Sequence, residues 1–167
     1  MLALLESLRM RRLPFSGLFV LWPTSCPILL YWMEVQVVMP LVLVIDDNED
    51  ERIIARTLLG IAGYRVVDAG DAMKGVGLAE RRRPDLIVLD LMMPGANGLD
   101  ALRGLRERPT TRAIPVLLYT AYADVFADEI DRAGPVQVLR KPMQGRDFLE
   151  AVRWMLAEGR RRDTAAA

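Results

Sequence analysis

The chain contains no histidine among its 167 residues and only one cysteine, Cys26. The absence of histidine excludes histidine acid–base catalysis, histidine metal ligands and an autophosphorylating histidine within this sequence. Zinc sites built on cysteine and histidine are excluded as well. A single cysteine cannot form an intramolecular disulfide. The sequence is therefore compatible with a reducing compartment, and we expect a cytoplasmic protein.

Lysine is also scarce, because Lys74 and Lys141 are the only lysines among 22 basic residues. Where arginine supplies the general positive charge, each retained ammonium group is more informative. The 22 acidic residues bring the formal net charge to zero, so bulk electrostatics give no support to nucleic-acid binding. The length and an apolar content of 52% predict one globular domain with a sizeable core.

Residues 1–38 differ in composition from the rest of the chain. No charged residue occurs between Leu13 and Met33, and a run of about 20 apolar residues is what a bilayer-spanning helix needs. Three prolines interrupt this run, which argues against such a helix. We favour a mis-assigned start, with translation beginning at Met39, over a membrane segment or a soluble extension. No membrane contact is expected for residues 39–167.

From residue 39 to 159, apolar runs alternate with segments of helical spacing. The predicted strands are 41–45, 64–69, 84–94, 114–121 and 136–142. The predicted helices are 48–64, 71–83, 98–107, 123–134 and 145–159, and Ile54, Leu58 and Ile61 form the apolar stripe of the first. This alternation predicts an α/β fold, a (βα)5 doubly wound parallel five-stranded sheet of flavodoxin-like order 2-1-3-4-5. Residues 160–167 are predicted to be a disordered tail.

Polar residues follow four of the predicted strands. Asp46 and Asp47 end the first strand, Asp90 the third, Thr120 the fourth and Lys141 the fifth. The carboxyl ends of parallel strands meet at one edge of a sheet, so we expect these side chains to converge. Three carboxylates favour Mg²⁺, and a carboxylate beside it can form an aspartyl phosphate. Taken alone, each residue fits a structural role better: a helix start, a turn, a strand-end hydroxyl or a surface charge. Their convergence at one edge therefore carries the hypothesis.

Four motifs together carry a family resemblance: "VIDDNED", "VLDLMMPGANGLDALRGLR", "IPVLLYTAYAD" and "VLRKPMQGRDFLEAV". Over residues 40–158 the chain resembles the receiver domain of bacterial two-component response regulators, including stand-alone chemotaxis-type receivers. The resemblance implies that Asp90 is the phosphoacceptor. It also implies one Mg²⁺ per domain, held by Asp46, Asp47, Asp90 and the main-chain carbonyl of Met92.

The same resemblance assigns the switch and shows one departure from the family. Thr120 corresponds to the switch hydroxyl, Lys141 to the phosphoryl-binding lysine, and the Lys141–Pro142 peptide is expected to be cis. The switch-aromatic position, three residues before the lysine, holds Val138 instead of tyrosine or phenylalanine. Tyr119 or Tyr122 could substitute for the missing ring.

Further positions bear on lifetime and partners. In the family, the positions of Met92 and Tyr122 tune dephosphorylation, and neither side chain can position an attacking water through a carboxylate or an amide. We therefore predict a long-lived phosphoryl group. Ile53 is a candidate partner contact on the outer face of the first helix, with core packing as the alternative, and Pro142 is a second candidate contact.

The resemblance implies a single-domain receiver that takes a phosphoryl group from a histidine kinase or His-phosphotransfer protein and signals through a changed surface. Such a protein is not an enzyme, since it catalyses only its own phosphorylation and dephosphorylation. The alternative is a phosphorylation-independent interaction module on the same fold. A haloacid-dehalogenase-like phosphatase is disfavoured, because Met92 stands where that class needs a second aspartate. The sequence leaves the downstream protein and a homodimer open.

Overall fold

The computed structural model describes residues 39–93, 98–121, 130, 136–142 and 144–165, and residues 39–167 form one compact unit. The strands are β1 (Leu41–Ile45), β2 (Arg65–Ala69), β3 (Leu86–Leu89), β4 (Val116–Thr120) and β5 (Val136–Arg140). The helices are α1 (Glu49–Ile61), α2 (Ala72–Arg82), α3 (Gly98–Glu107) and α4 (Gly145–Ala165). The N-terminal extension, residues 1–38, lies outside the described residues. Of the helix predicted over 123–134 only Ile130 is described, and it is helical.

The five strands form one parallel sheet in the order β2-β1-β3-β4-β5, which confirms the predicted fold class. β1 and β3 are neighbours, with Val44 opposite Val88. β4 and β5 are neighbours, with Thr120 opposite Arg140. Because all strands point the same way, the residues that follow β1, β3, β4 and β5 lie at one edge of the sheet.

Apolar side chains cover both faces of the sheet, as the continuous apolar strands predict. Leu43 and Ile45 of β1 pack on one face in a core with α2 and α3, which we call the α2/α3 core. Val42 and Val44 point to the other face and pack with α1 and α4 in the α1/α4 core. Burial of each such side chain contributes about 1.5–3 kcal/mol to the stability of the fold. The strands that carry the polar edge are therefore held in place by the core.

The buried face of α1 differs from the apolar stripe seen in the sequence. Leu59 is fully buried, and Ala55 and Leu58 pack beside it. Ile54 and Ile61 are instead 58% and 83% exposed. The predicted stripe is confirmed for Leu58 and wrong for Ile54 and Ile61, because α1 faces the sheet along the Ala55–Leu58–Leu59 line.

The end of α4 also differs from the prediction. The helix continues to Ala165 rather than ending at Gly159, so residues 160–165 are not a disordered tail. A glycine ends a helix when it adopts a left-handed backbone, as Gly63 does with φ 87° after α1. Gly159 instead lies within the helix, and a Glu158–Arg161 ion pair of 2.8 Å spans the expected end. Among the described residues, no helix combines the length and apolar character needed to cross a membrane.

Candidate functional site

The carboxyl ends of β1 and β3 bring three carboxylates together. The Asp90 N–H donates to the Ile45 carbonyl over 2.9 Å, which continues the β1–β3 pairing to the edge of the sheet. One carboxylate oxygen from each of Asp46, Asp47 and Asp90 lies within 4.8 Å of the others. Asp46 and Asp90 are buried, whereas Asp47 is exposed. The predicted convergence of residues that are far apart in sequence is therefore present in the fold.

Lys141, which follows β5, provides the opposite charge. Its ammonium Nζ lies 2.8 Å from Asp46 Oδ2 and 2.9 Å from Asp90 Oδ2, and it also contacts Glu51 Oε2. Burial by itself would lower the pKa of Lys141, but its hydrogen bonds to Asp46 and Asp90 and its contact with Glu51 outweigh burial and raise this pKa above its ordinary value. The side chain therefore stays cationic at physiological pH.

Asp46 has the opposite balance of forces. Burial raises the pKa of its carboxyl above the ordinary value of 3.8, and the hydrogen bond and charge of Lys141 offset only part of this rise. The negative charge of Asp90 adds to the rise. A buried carboxylate that still carries an unfavourable balance benefits from further positive charge. This electrostatic environment suits a divalent cation.

Local turns fix the second oxygen of both buried carboxylates. The Asn48 N–H donates to Asp46 Oδ1 over 2.8 Å, and the Met92 N–H donates to Asp90 Oδ1 over 3.1 Å. In each case a backbone N–H two residues along holds Oδ1, while Lys141 holds Oδ2. The orientation of both carboxylates is therefore set before any ligand binds. Met92 itself is half-exposed.

Arg52 supports the Asp46–Asp47 turn through the main-chain carbonyls of both residues. Its Nη1 donates to the main-chain carbonyls of Asp46 and Asp47, each over 2.9 Å, and its Nε donates to Asp68 over 3.3 Å. The Arg52 side chain is only 16% exposed. A Cβ at Gly70 would lie 3.3 Å from its guanidinium. One half-buried guanidinium thus connects the end of β1 to β2.

We expect Arg52→Gln to weaken Mg²⁺ binding by about tenfold, the usual scale for residues that orient metal ligands. The shorter amide cannot reach both carbonyls, so the Asp46–Asp47 turn loses its support. Isothermal titration calorimetry of the full chain measures the effect.

Arg56→Gln is the matched control for Arg52→Gln. Arg56 lies 3.6 Å from the same Asp68 but is 56% exposed, and this variant should bind Mg²⁺ within about twofold of the wild type. Equal affinities in the Arg52→Gln variant and the wild type would contradict a positioning role for Arg52.

Thr120 and Tyr119, at the end of β4, lie next to Lys141. Thr120 is fully buried, and its carbonyl accepts the Lys141 N–H over 3.1 Å. The ring centroid of Tyr119 lies 5.0 Å from Lys141 Nζ, which is within cation–π range. Tyr119 also packs against Phe148 of α4, with ring centroids 5.6 Å apart. The ammonium is therefore in contact with the α1/α4 core through an aromatic ring.

Val138 lies on the other face of the sheet. It pairs with Leu118 and packs against the α2/α3 core, where its half-buried side chain provides apolar contact only. Tyr119 lies on the opposite face, so its ring does not occupy the place that Val138 leaves without one. Tyr122 lies outside the described residues.

The remaining predicted positions are also located. The Lys141–Pro142 peptide is cis, as expected, and Pro142 is exposed. Ile53 is 44% exposed on α1, which contradicts the core-packing alternative.

Sequence reasoning missed Glu51 and Arg52 as members of the site. Both lie in the first turn of α1, which begins directly after the Asp46–Asp47 pair because Asn48 caps it, accepting the Asp50 N–H. A helix that starts at a site directs its first-turn side chains toward that site. The short spacing from Asp46 was the available signal, and it did not indicate which first-turn residues turn inward.

The parallel five-stranded sheet, with three carboxylates and the half-buried Lys141 at its carboxyl edge, has the architecture of a receiver-type signalling domain. The chain belongs to the response regulator receiver domain family, because the model of that family matches residues 42–153. Receiver domains are signalling domains of two-component systems, and they interact with histidine kinases or phosphotransfer proteins.

Curated relatives fall into two groups by length. PilH of Pseudomonas aeruginosa is 33% identical over 118 residues, covering 70% of this chain and 97% of PilH. DivK of Brucella anthropi, a polar-differentiation response regulator, is 30% identical over 70% of this chain and 96% of DivK. The chain spans only about half of two other relatives. These are RpaA of Synechocystis (38% identical, 71% of this chain, 49% of RpaA) and AfsQ1 of Streptomyces coelicolor (35% identical, 77% of this chain, 56% of AfsQ1).

Solved structures agree with this assignment. Chemotaxis protein CheY4 of Vibrio cholerae superposes with a TM-score of 0.67 at 26% identity, covering 71% of this chain and 99% of CheY4. The receiver domain of sensor histidine kinase PA1611 of Pseudomonas aeruginosa has a TM-score of 0.66 at 26% identity, covering 72% and 99%. That structure contains a magnesium ion in its active site cleft.

Proposed function

We propose that this chain accepts a phosphoryl group on Asp90 from a phosphohistidine of a partner protein and signals through a changed binding surface. The observation that carries the proposal is the state of the Asp90 carboxylate. Its two oxygens are held separately by the Met92 N–H and the Lys141 ammonium, beside two further carboxylates. Phosphoryl acceptance requires a carboxylate in a fixed orientation and a nearby cation that stabilises the phosphoryl oxygens.

The three carboxylates fit a magnesium ion by their chemistry. They provide oxygen donors only, one of them exposed, so that bound water can complete the coordination. Asp46, Asp47 and Asp90 would hold the ion, with the main-chain carbonyl of Met92 as a fourth protein ligand. When bound, Mg²⁺ would neutralise the carboxylates and the charge of the incoming phosphoryl oxygens.

The chain's own residues perform the transfer. A carboxylate oxygen of Asp90 forms a bond to phosphorus while the bond from phosphorus to the donor nitrogen breaks, and the donor imidazole keeps that electron pair. Lys141 turns its ammonium from the carboxylates to the new phosphoryl oxygens. Thr120, buried at the end of the neighbouring strand, would donate its hydroxyl to the same group. No step requires a general base, since a carboxylate oxygen attacks phosphorus without losing a proton.

The phosphoryl donor lies outside this sequence, which contains no histidine. The exposed face of α1 is the surface we propose for that partner, and the exposed Ile53 is its proposed apolar contact. Pro142, exposed beside Lys141, is a second proposed contact. We propose that the protein acts in the cytoplasm, where histidine kinases present their phosphohistidine.

Intact-protein mass spectrometry tests the proposed function. The full chain is incubated with Mg²⁺ and acetyl phosphate, and we expect the mass of one phosphoryl group to be added. The Asp90→Asn variant and a sample with chelator should gain nothing, because they lack the acceptor oxygen and the ion respectively. A wild-type chain that binds Mg²⁺ but gains no phosphoryl group would contradict the proposal.

That negative result would favour a phosphorylation-independent interaction module. The observation behind this second candidate is Val138, which lies in the α2/α3 core without a ring that could turn between two positions. The same experiment therefore separates the two candidates. A protein whose Asp90 does not react would keep the fold and the acidic edge, but it would have no phosphorylation switch.

A further inference from the structure

Glu51 is a fourth carboxylate at the edge of the sheet, and it belongs to neither the metal set nor the acceptor. It lies in the first turn of α1, and its Oε2 contacts the Lys141 ammonium. That oxygen is buried, and among the described residues no donor forms a hydrogen bond of good geometry with it. The rest of the side chain reaches solvent, at 35% exposure. Lys141 therefore provides the compensating charge for a buried oxygen of Glu51.

The ammonium is shared among three carboxylates, and the other two have additional partners. Asp46 and Asp90 each accept a backbone N–H and face each other as candidate ligands of one ion. If an ion takes Asp46 and Asp90, Glu51 is the carboxylate that still holds Lys141. The lysine that the phosphoryl group needs is thus held by an anion outside the reaction.

We infer that Glu51 is a positioning residue that restrains Lys141 and slows phosphorylation of Asp90. This inference rests on the proposed function, and it concerns the regulation of the same site. Glu51 does not touch the reacting atoms. It acts through Lys141, which contacts both Glu51 Oε2 and Asp90 Oδ2.

Two physical effects make the restraint. First, moving the ammonium toward the phosphoryl oxygens removes the counter-charge from a buried oxygen of Glu51, which is unfavourable. Second, both carboxylates contact one ammonium, so Glu51 lies close to the position where the phosphoryl group adds negative charge, and like charges repel. A neutral side chain of the same size would remove both effects and leave the packing of α1 unchanged.

The test compares Glu51→Gln with Glu49→Gln in the full chain. Phosphorylation by acetyl phosphate at saturating Mg²⁺ is followed over time by intact-protein mass spectrometry. We expect Glu51→Gln to be phosphorylated about fivefold faster, the scale of one charged contact at a partly exposed site. Glu49 is exposed in the same helical turn, so Glu49→Gln makes the same charge change away from Lys141 and should match the wild type.

Glu51→Asp separates the contact from the charge. It keeps the negative charge but is one methylene shorter, so it should lose the contact with Lys141 and also be phosphorylated faster than the wild type. Thermal unfolding of each variant reports whether the fold is retained. If the wild type is phosphorylated and Glu51→Gln reacts no faster, this inference is overturned and the proposed function is not. A wild type that gains no phosphoryl group removes both the inference and the proposed function.

Discussion

Replacing Lys141 with methionine should lower the free energy of unfolding of the Mg²⁺-free protein by about 3 kcal/mol, as when one partner of a buried ion pair is removed. The Asp46 and Asp90 side chains are only 6% and 10% exposed. Without the ammonium, two buried carboxylates face each other with no counter-charge. Urea denaturation followed by circular dichroism measures the loss.

Mg²⁺ should restore most of the stability that Lys141→Met loses. The ion binds the folded state through the same carboxylates and replaces the missing positive charge. Its binding therefore raises the free energy of unfolding by mass action. We therefore expect a larger Mg²⁺-dependent gain in this variant than in the wild type. A variant as stable as the wild type, or one insensitive to Mg²⁺, would contradict the electrostatic account of the site.

Lys74→Met is the matched control, since Lys74 is the other lysine of the chain. Its ammonium lies 2.8 Å from Asp71 and is 79% exposed. Exposed ion pairs contribute about 0–1 kcal/mol, so this variant should change stability little and should not respond to Mg²⁺ differently from the wild type.

The stability deficit of Lys141→Met should shrink as the pH is lowered. Burial already raises the pKa of Asp46, and removal of Lys141 raises it further. A carboxyl whose pKa is higher in the folded than in the unfolded state favours folding when it is protonated, and this benefit is lost as the pH rises through the folded pKa. The deficit should therefore be largest at neutral pH and fall as the pH approaches 3.8, the ordinary value.

Gly98→Ala should lower the free energy of unfolding by about 3 kcal/mol and abolish most phosphorylation, because the new methyl group has no space. A Cβ at this position would lie 2.2 Å from the Asp90 carbonyl oxygen and 2.6 Å from Leu91 Cα. Both are backbone atoms of the segment that carries the acceptor. The Gly98 N–H also donates to the Leu91 carbonyl over 2.9 Å. The start of α3 therefore cannot move away without breaking this hydrogen bond.

Gly60→Ala controls for the general effect of the substitution. Gly60 lies within α1, and a Cβ there meets nothing within 4 Å. Alanine should stabilise this helix by about 0.5–1 kcal/mol, because it loses less backbone entropy on folding than glycine does. Denaturation and acetyl phosphate labelling of both variants give the comparison. Normal labelling of Gly98→Ala would show that the α3 start does not fix Asp90.

The acidic edge could be predicted because its signals are local. An apolar run that ends in Asp46–Asp47 and another that ends in Asp90 indicate two buried strands, and parallel strands bring their ends together whatever the loops between them do. Lys141 lies 95 residues from Asp46 in sequence and still falls at the same edge for this reason. Its contact with Asp90 follows from topology.

Side-chain directions on α1 could not be predicted in the same way. Successive helical residues point about 100° apart, so a small rotation of the helix decides which of them is buried. Ile54 and Ile61 are exposed although they are the most apolar residues of their stripe. Close packing against the sheet, through Ala55 and Leu58, sets the rotation instead. Periodicity within one helix carries no information about the partner surface.

The sequence by itself determined the parallel sheet, its strand order and the five polar residues at its edge, since these depend on hydrophobic patterns and chain direction. Tertiary structure decided that Glu51 holds Lys141 and that Arg52 holds the carbonyls of Asp46 and Asp47. Those contacts depend on the rotation of α1 against the sheet, which is fixed by packing between segments distant in sequence.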